Sequence, residues 1–202
     1  EAGVGHRVFK AGDMRYTPVK VAVELPDDEH ATASRDLGLR IHRVLSHITY
    51  RRDLDRALSY ALSRGIVTTR VQDPWNTDEA RHRLRTLLFD PPATATFNGV
   101  EEPSDALTWW ADDNVVLTER ALIGKWEDKE HNAHVERRRP DRVVMRPDGT
   151  VIVIDYKTGK PGEKGHVAQV KRYARWLQQA LQPPAVRGYL WYTERDIVVR
   201  VV

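Results

Sequence analysis

The 202-residue chain predicts an α/β fold, a β-sheet with helices packed on it, preceded by an N-terminal helical region. Two observations carry this. Helical apolar periodicity fills the first half of the chain, and β-branched runs fill the second, with one long amphipathic helix set among them. At 41% hydrophobic content the chain can bury a sizeable core in one domain. We expect an extended segment over residues 1–32, a helical part over 33–113, and a core of sheet and helix over 114–202, the last two forming one structural unit.

The elements follow in order. Leu37, Ile41, Val44, Leu45 and Ile48 make an apolar stripe, which predicts a helix over Asp36 to Ile48. A second helix is expected from Asp53 to Arg64, stopped by Gly65 at the C′ position. Asn76-Thr77-Asp78-Glu79 offers a capping box for a third, running to about Phe89 and ended by Pro91-Pro92. Pro103 to Trp110 reads as a short fourth helix, and Glu101-Glu102-Pro103 as a surface turn. Strands are expected over Val115 to Ile123, Val135 to Met145 and Thr150 to Lys157, then a helix over Gly165 to Leu181, then strands over Val186 to Tyr192 and Ile197 to Val202. Trp109-Trp110, Trp176 and Trp191-Tyr192 are expected in the core rather than on a base-stacking surface.

The chemistry concentrates in Val151-Ile152-Val153-Ile154-Asp155-Tyr156-Lys157-Thr158-Gly159. Strand side chains alternate faces, so Asp155 and Lys157 project on one side, Ile154 and Tyr156 on the other. Upstream, Pro147-Asp148-Gly149 suits a three-residue hairpin loop, which pairs Arg146 with Thr150, Met145 with Val151 and Val143 with Val153. Asp141 then arrives opposite Asp155 on the same face, within the roughly 5 Å of cross-strand neighbours. Two carboxylates held that close call for a cation, and hard oxygen ligands favour Mg²⁺ or Mn²⁺. Lys157 beside them could hold and polarise an attacking water, which points to a metal-dependent phosphodiesterase. The competing reading is an ordinary polar strand end, with Asp141 paired to a neighbouring arginine.

Asp141, Asp155-Tyr156-Lys157-Thr158-Gly159 and Gln169-Val170-Lys171-Arg172-Tyr173, in that order, resemble the RecB-like branch of the PD-(D/E)XK nuclease superfamily. In that branch an acid precedes a DxK strand end and a QxxxY helix. Gly38 to His42 is similar to its GxxxH motif. The likeness spans about Gly38 to Tyr192 and is closest to C-terminal nuclease domains of UvrD/AddA-type helicase-nucleases. It implies a restriction-endonuclease-like core, a mixed central sheet flanked by helices. It also implies His42, Asp141, Asp155 and the Tyr156 main-chain carbonyl as metal ligands, Lys157 as the catalytic lysine, and Gln169 and Tyr173 as residues that contact DNA or support the site. Glu119 is the best match to the family's glutamate on the first core strand. Taken singly, His42 flanks a buried helix face and Gln169 and Tyr173 suit a helix-stabilising i, i+4 pair; the ordered set is what carries the resemblance.

The net charge is +3 and the pI about 9.2, so the chain is mildly basic, and 24 of its 32 basic residues are arginine. Arg137, Arg138 and Arg139 immediately precede Asp141 and are expected to bring positive charge to a polyanion. There is no cysteine, which excludes disulfides, thiolate metal sites and a cysteine-ligated iron–sulfur cluster in these residues. No signal peptide or run of about twenty apolar residues occurs, so we expect a cytoplasmic chain with no membrane partner. The chain starts without methionine, at Glu1, with an extended Glu1 to Glu24 segment, so a fragment of a longer protein is expected; with no GxxxxGK[ST] phosphate loop, these residues do not hold the helicase motor.

Together these readings anticipate a Mg²⁺- or Mn²⁺-dependent DNA exonuclease domain that processes broken ends for recombination repair. Its partners would be single- or double-stranded DNA ends, helicase motor domains in the same parent chain and a second helicase–nuclease subunit. The alternatives are a catalytically silent DNA-binding scaffold of a helicase–nuclease complex, and a stand-alone repair or restriction nuclease.

Overall fold

The structure is a computed structural model that describes residues 29–127, 130, 132–158, 161–162 and 164–202. The expected extended segment falls almost wholly outside the described residues, as does Gly159. Three helices come first: α1 (Glu29–Leu45), α2 (Leu54–Ser63) and α3 (Thr77–Phe89). Helix α1 starts at Glu29, inside the segment expected to be extended through residue 32. Gly65, with φ of 65°, takes the left-handed position after α2, and the Asn76 side chain caps α3 by accepting from the Asp78 and Glu79 amides.

Among the described residues nine strands follow: β1 (Thr94–Phe97), β2 (Val100–Pro103), β3 (Val115–Thr118), β4 (Leu122–Glu127), β5 (Ala133–Arg138), β6 (Arg142–Met145), β7 (Val151–Lys157), β8 (Val186–Tyr192) and β9 (Ile197–Arg200). Seven form one mixed sheet in the order β2-β1-β9-β8-β7-β6-β3, while β4 and β5 pair separately as a ribbon. Helix α4 (Lys164–Leu181) makes the crossover between the parallel neighbours β7 and β8. This is the mixed sheet flanked by helices that the sequence predicts.

Three corrections concern local chain breaks. The expected strand Val115 to Ile123 divides because Glu119 has a φ of 52°, in the left-handed region, and turns the chain out of the sheet into the ribbon. The expected strand Val135 to Met145 divides at Pro140, which has no N–H for a ladder. Residues 33–113 are not helical throughout, since Asn98 and Gly99, at φ 52° and 81°, make a two-residue turn between β1 and β2. Glu101-Glu102-Pro103 therefore lies in β2 rather than in a turn, and the short helix after it is a 3₁₀ helix over Ala106–Trp110.

Alternation along β7 sorts the core into two layers. Ile152, Ile154 and Tyr156 pack with α1 to α3 and with Trp109, Trp110 and Trp191, whereas Val151 and Val153 pack with Val170, Tyr173 and Leu177 of α4. Trp109, Trp110, Trp176, Trp191 and Tyr192 are all buried. A buried arginine ties the layers. Arg142 donates from Nη1 to the Ile48 carbonyl at 2.9 Å, from Nη2 to those of Thr49 at 2.6 Å and Trp109 at 3.0 Å, and lies 3.7 Å from the Trp110 ring centre. Arg40 does the same at the edge of the helical layer, gripping both Asp73 oxygens at 2.9 Å and the Ile66 carbonyl at 2.7 Å.

Two stability measurements test these anchors. Arg142→Ala leaves three carbonyls without their donor, and chemical denaturation should show a loss of about 3 kcal/mol or more. The Arg40 guanidinium holds Asp73 well below the usual carboxylate range. The stability Asp73 contributes is thus present above its unfolded pKa of about 3.9 and is lost as pH falls through its lowered folded value. Asp73→Asn should cost about 1–2 kcal/mol at neutral pH and progressively less in acid.

Candidate active site

The site forms where β7 ends and the two layers meet. The hairpin register is Met145↔Val151, Val143↔Val153 and Arg142↔Ile154, closed by a turn in which Gly149, at φ 82°, donates to the Arg146 carbonyl. The ladder ends at Arg142↔Ile154, and Asp141 stands immediately before it, next to the end of β7. Asp141 Oδ2 accepts from the Tyr156 amide at 2.6 Å, which pins it to the strand that carries Asp155.

Period two sends Asp155 and Lys157 towards α4. There Asp155 is ion-paired with Lys157, the Lys157 ammonium donates to Gln169 Oε1 at 3.2 Å, and Gln169 Nε2 donates to Asp155 Oδ1 at 3.3 Å and to the Tyr173 hydroxyl at 2.8 Å. Gln169 bridges the Asp155–Lys157 pair, and Tyr173, one helical turn further on, bonds Gln169 alone. His166 lies close enough to stabilise the Asp155 charge. It was missed in the sequence, where its place three residues before Gln169 on one helix face was the available signal.

His42 comes from the opposite layer. Gly38, one turn earlier on α1, is buried, and a Cβ there would stand 1.6 Å from Thr158 Cγ2, so only glycine lets α1 approach the end of β7 this closely. His42 Nδ1 then lies 3.9 Å from Asp141 Oδ2, and its ring meets the Tyr156 ring edge-on at 5.3 Å. The ring also faces the Tyr156 carbonyl, and its Nε2 is buried without a hydrogen-bond partner. Burial, reinforced by the Lys157 charge, lowers its pKa to about 4, so at neutral pH it is an uncharged imidazole able to ligate.

The carboxylates show the opposite tendency. Burial and the neighbouring Asp155 push Asp141 well above the carboxylate range, with a further push from Glu119; burial raises Asp155 as well. Glu119 is anchored beside the pair, its amide donating to the Asp141 carbonyl at 3.0 Å and its carboxylate pairing with Arg139 at 2.7 Å. Among the described residues no three His, Asp or Glu side chains close into a tight metal cluster. Their chemistry nonetheless fits a hard divalent cation: a buried acid and a partly buried one repelling one another, a neutral imidazole with a free nitrogen and a main-chain carbonyl.

The three arginines before Asp141 separate. Arg139 turns to Glu119, Arg138 pairs with Glu136 at 2.6 Å, and Arg137, opposite Ile123 in the ribbon, lies on the other face of β5. Arg142, beside Asp141, is the charged residue that the sequence reading overlooked. No charge pattern marks it, because it sits in an apolar strand.

A family model described as PD-(D/E)XK nuclease superfamily matches residues 18–199 of this chain. Among curated proteins none matches it.

The raised Asp141 has a testable sign. Its protonated form favours folding, so that contribution is complete below the unfolded pKa of about 3.9 and is lost as pH rises through the raised folded value. Urea titrations in EDTA should show stability declining with rising pH through this window, and Asp141→Asn should flatten the decline.

Proposed function

Because the chain belongs to the PD-(D/E)XK nuclease superfamily, we propose that it is a divalent-metal-dependent deoxyribonuclease whose catalytic residues are Asp141, Asp155 and Lys157, supported by Gln169 and Tyr173. The observation that carries this reading is the pairing of Asp155 with Lys157 at the end of β7, with Asp141 pinned to the same strand by the Tyr156 amide. His42, Asp141, Asp155 and the Tyr156 carbonyl would hold Mg²⁺ or Mn²⁺, with Glu119 as a further carboxylate. When bound, such a cation supplies Lewis-acid stabilisation of charge on a phosphate oxygen.

The chain's own residues account for the rest. Lys157, fixed between Asp155 and Gln169, is placed to orient the water that attacks phosphorus. The phosphodiester P–O bond breaks, leaving a phosphate monoester on one fragment and a hydroxyl on the other. Among the described residues nothing resembles a helix poised for a major groove, so recognition rests on phosphates and carries no sequence preference. The finer reading, an exonuclease of the RecB-like branch working with helicase motor domains on broken ends, rests on the order of GxxxH, acid, DYKTG and QxxxY in the sequence. No helix of the described residues is long and apolar enough to cross a membrane.

Incubation of the protein with linear single- and double-stranded DNA should give fragments with Mg²⁺ or Mn²⁺ and none with EDTA. Asp155→Ala and Lys157→Ala should each lower the rate by roughly 10²-fold or more. A folded protein that binds DNA yet leaves it uncut with either metal would instead favour a binding scaffold.

A further inference from the structure

A second feature lies outside the catalytic cluster. The β4–β5 ribbon is docked on α4: Gly124 sits under Trp176, where a Cβ would come within 1.9 Å of the indole, and Arg172 reaches across to both Glu136 oxygens at 3.0 and 3.3 Å. Between ribbon and helix runs a cleft of about 620 Å³ lined by His134, Glu136, Arg138, Arg172, Arg175 and Trp176. Alternation along β5 places His134, Glu136 and Arg138 on this inner side.

From these observations we infer that the ribbon and α4 form a track for the sugar–phosphate backbone of a single DNA strand, with Arg138, Arg172 and Arg175 as its phosphate-binding groups. The inference rests on the nuclease reading above and extends it beyond the reacting phosphate.

Three features support it. Three guanidiniums and one carboxylate line the cleft, and α4 carries Lys171, Arg172 and Arg175 with no acidic residue along its length, so the wall is matched to a polyanion. Glu136 lies between Arg138 and Arg172, holding both guanidiniums as a phosphate would. The cleft also adjoins the active site, since Arg138 lies close enough to Tyr173 to favour its ionised form and Tyr173 is hydrogen-bonded to Gln169.

The occupant follows from shape. A half-open cleft with a volume in the range of small-ligand pockets, walled by a ribbon on one side and a helix on the other, suits a single strand, whereas a duplex would meet only its rim. Trp176 is almost wholly buried with its indole packed on Gly124, so it offers little face for stacking and the interactions are with backbone rather than bases.

The test is fluorescence anisotropy of a labelled oligothymidylate in EDTA, where no cleavage occurs, at several salt concentrations. Arg172→Ala/Arg175→Ala should weaken binding by about tenfold and reduce the salt slope by roughly 0.7 for each guanidinium removed. Arg172→Lys/Arg175→Lys should recover most of that slope, which separates the effect of charge from an effect on folding. Glu136→Gln should tighten binding, because the arginines no longer have an internal carboxylate to release. Arg64→Ala/Arg85→Ala, which removes guanidiniums lying over Tyr60 and Phe89 on α2 and α3, should bind as the parent does. Equal affinity and salt slope in the parent and the Arg172→Ala/Arg175→Ala variant would overturn the track, as would a parent protein that binds duplex but not single strands, or no DNA at all. Cleavage abolished in Asp155→Ala with binding intact would uphold the nuclease reading independently of either result.

Discussion

The burial of the Arg142 guanidinium is the constraint on which the rest of the fold turns. Taking that charge out of water is costly, and burial lowers its pKa, yet the group is held by three main-chain carbonyls and an indole face. Those carbonyls belong to the segment after α1 and to the 3₁₀ helix, while Arg142 itself begins β6. One side chain thus fixes the helical layer against the sheet. Because Arg142 follows Asp141 directly, the same bonds set where the first acid stands relative to His42.

The second determinant is the alternation of β7. Asp155 and Lys157 project to the α4 layer and Tyr156 to the α1 layer, so neighbouring residues recruit helices on opposite faces. The site therefore draws Gln169, Tyr173 and His166 from one helix and His42 from another, and gathers them at the carboxyl end of a central parallel strand. Open α/β sheets commonly place their chemistry at such ends, because the strand backbone terminates there and its last groups face outwards. Gly38 is the counterpart on the helix side: with a side chain at that position α1 could not bring His42 to the Tyr156 carbonyl.

Legibility in the sequence followed the range of the interactions involved. The β6–β7 register could be read residue by residue because a three-residue loop with a glycine fixes it locally. The Asn98-Gly99 hairpin was equally local and was overlooked, since the short runs on either side of it carry little apolar pattern. Pro140 was also a visible break inside a run that was read as continuous. Glu119 gave no such sign, because its left-handed backbone arises from the chain leaving the sheet at that point and not from the residue itself. The burial of Arg142 depends on interactions across 33 or more positions, where a sequence window carries no information, and the division of Arg137, Arg138 and Arg139 among three surroundings follows from the ribbon pairing and from Glu119, neither of which the run of arginines itself marks.

Lys157 and Glu136 play opposite versions of one role. Lys157 is a cation set against the Asp155 carboxylate, and Glu136 an anion set between Arg138 and Arg172. Each internal counter-charge lowers the cost of holding like charges together, most at the buried Asp155–Lys157 pair and less at the half-exposed arginines. The same pairing works against any ligand of the matching sign, which must compete with a partner already in place. A loosely screened surface charge would bind without that penalty but would not be oriented beforehand. On the function proposed above, the chain thus gives up some binding strength for geometry, which is the useful exchange where a phosphate would be presented to Lys157 in one orientation.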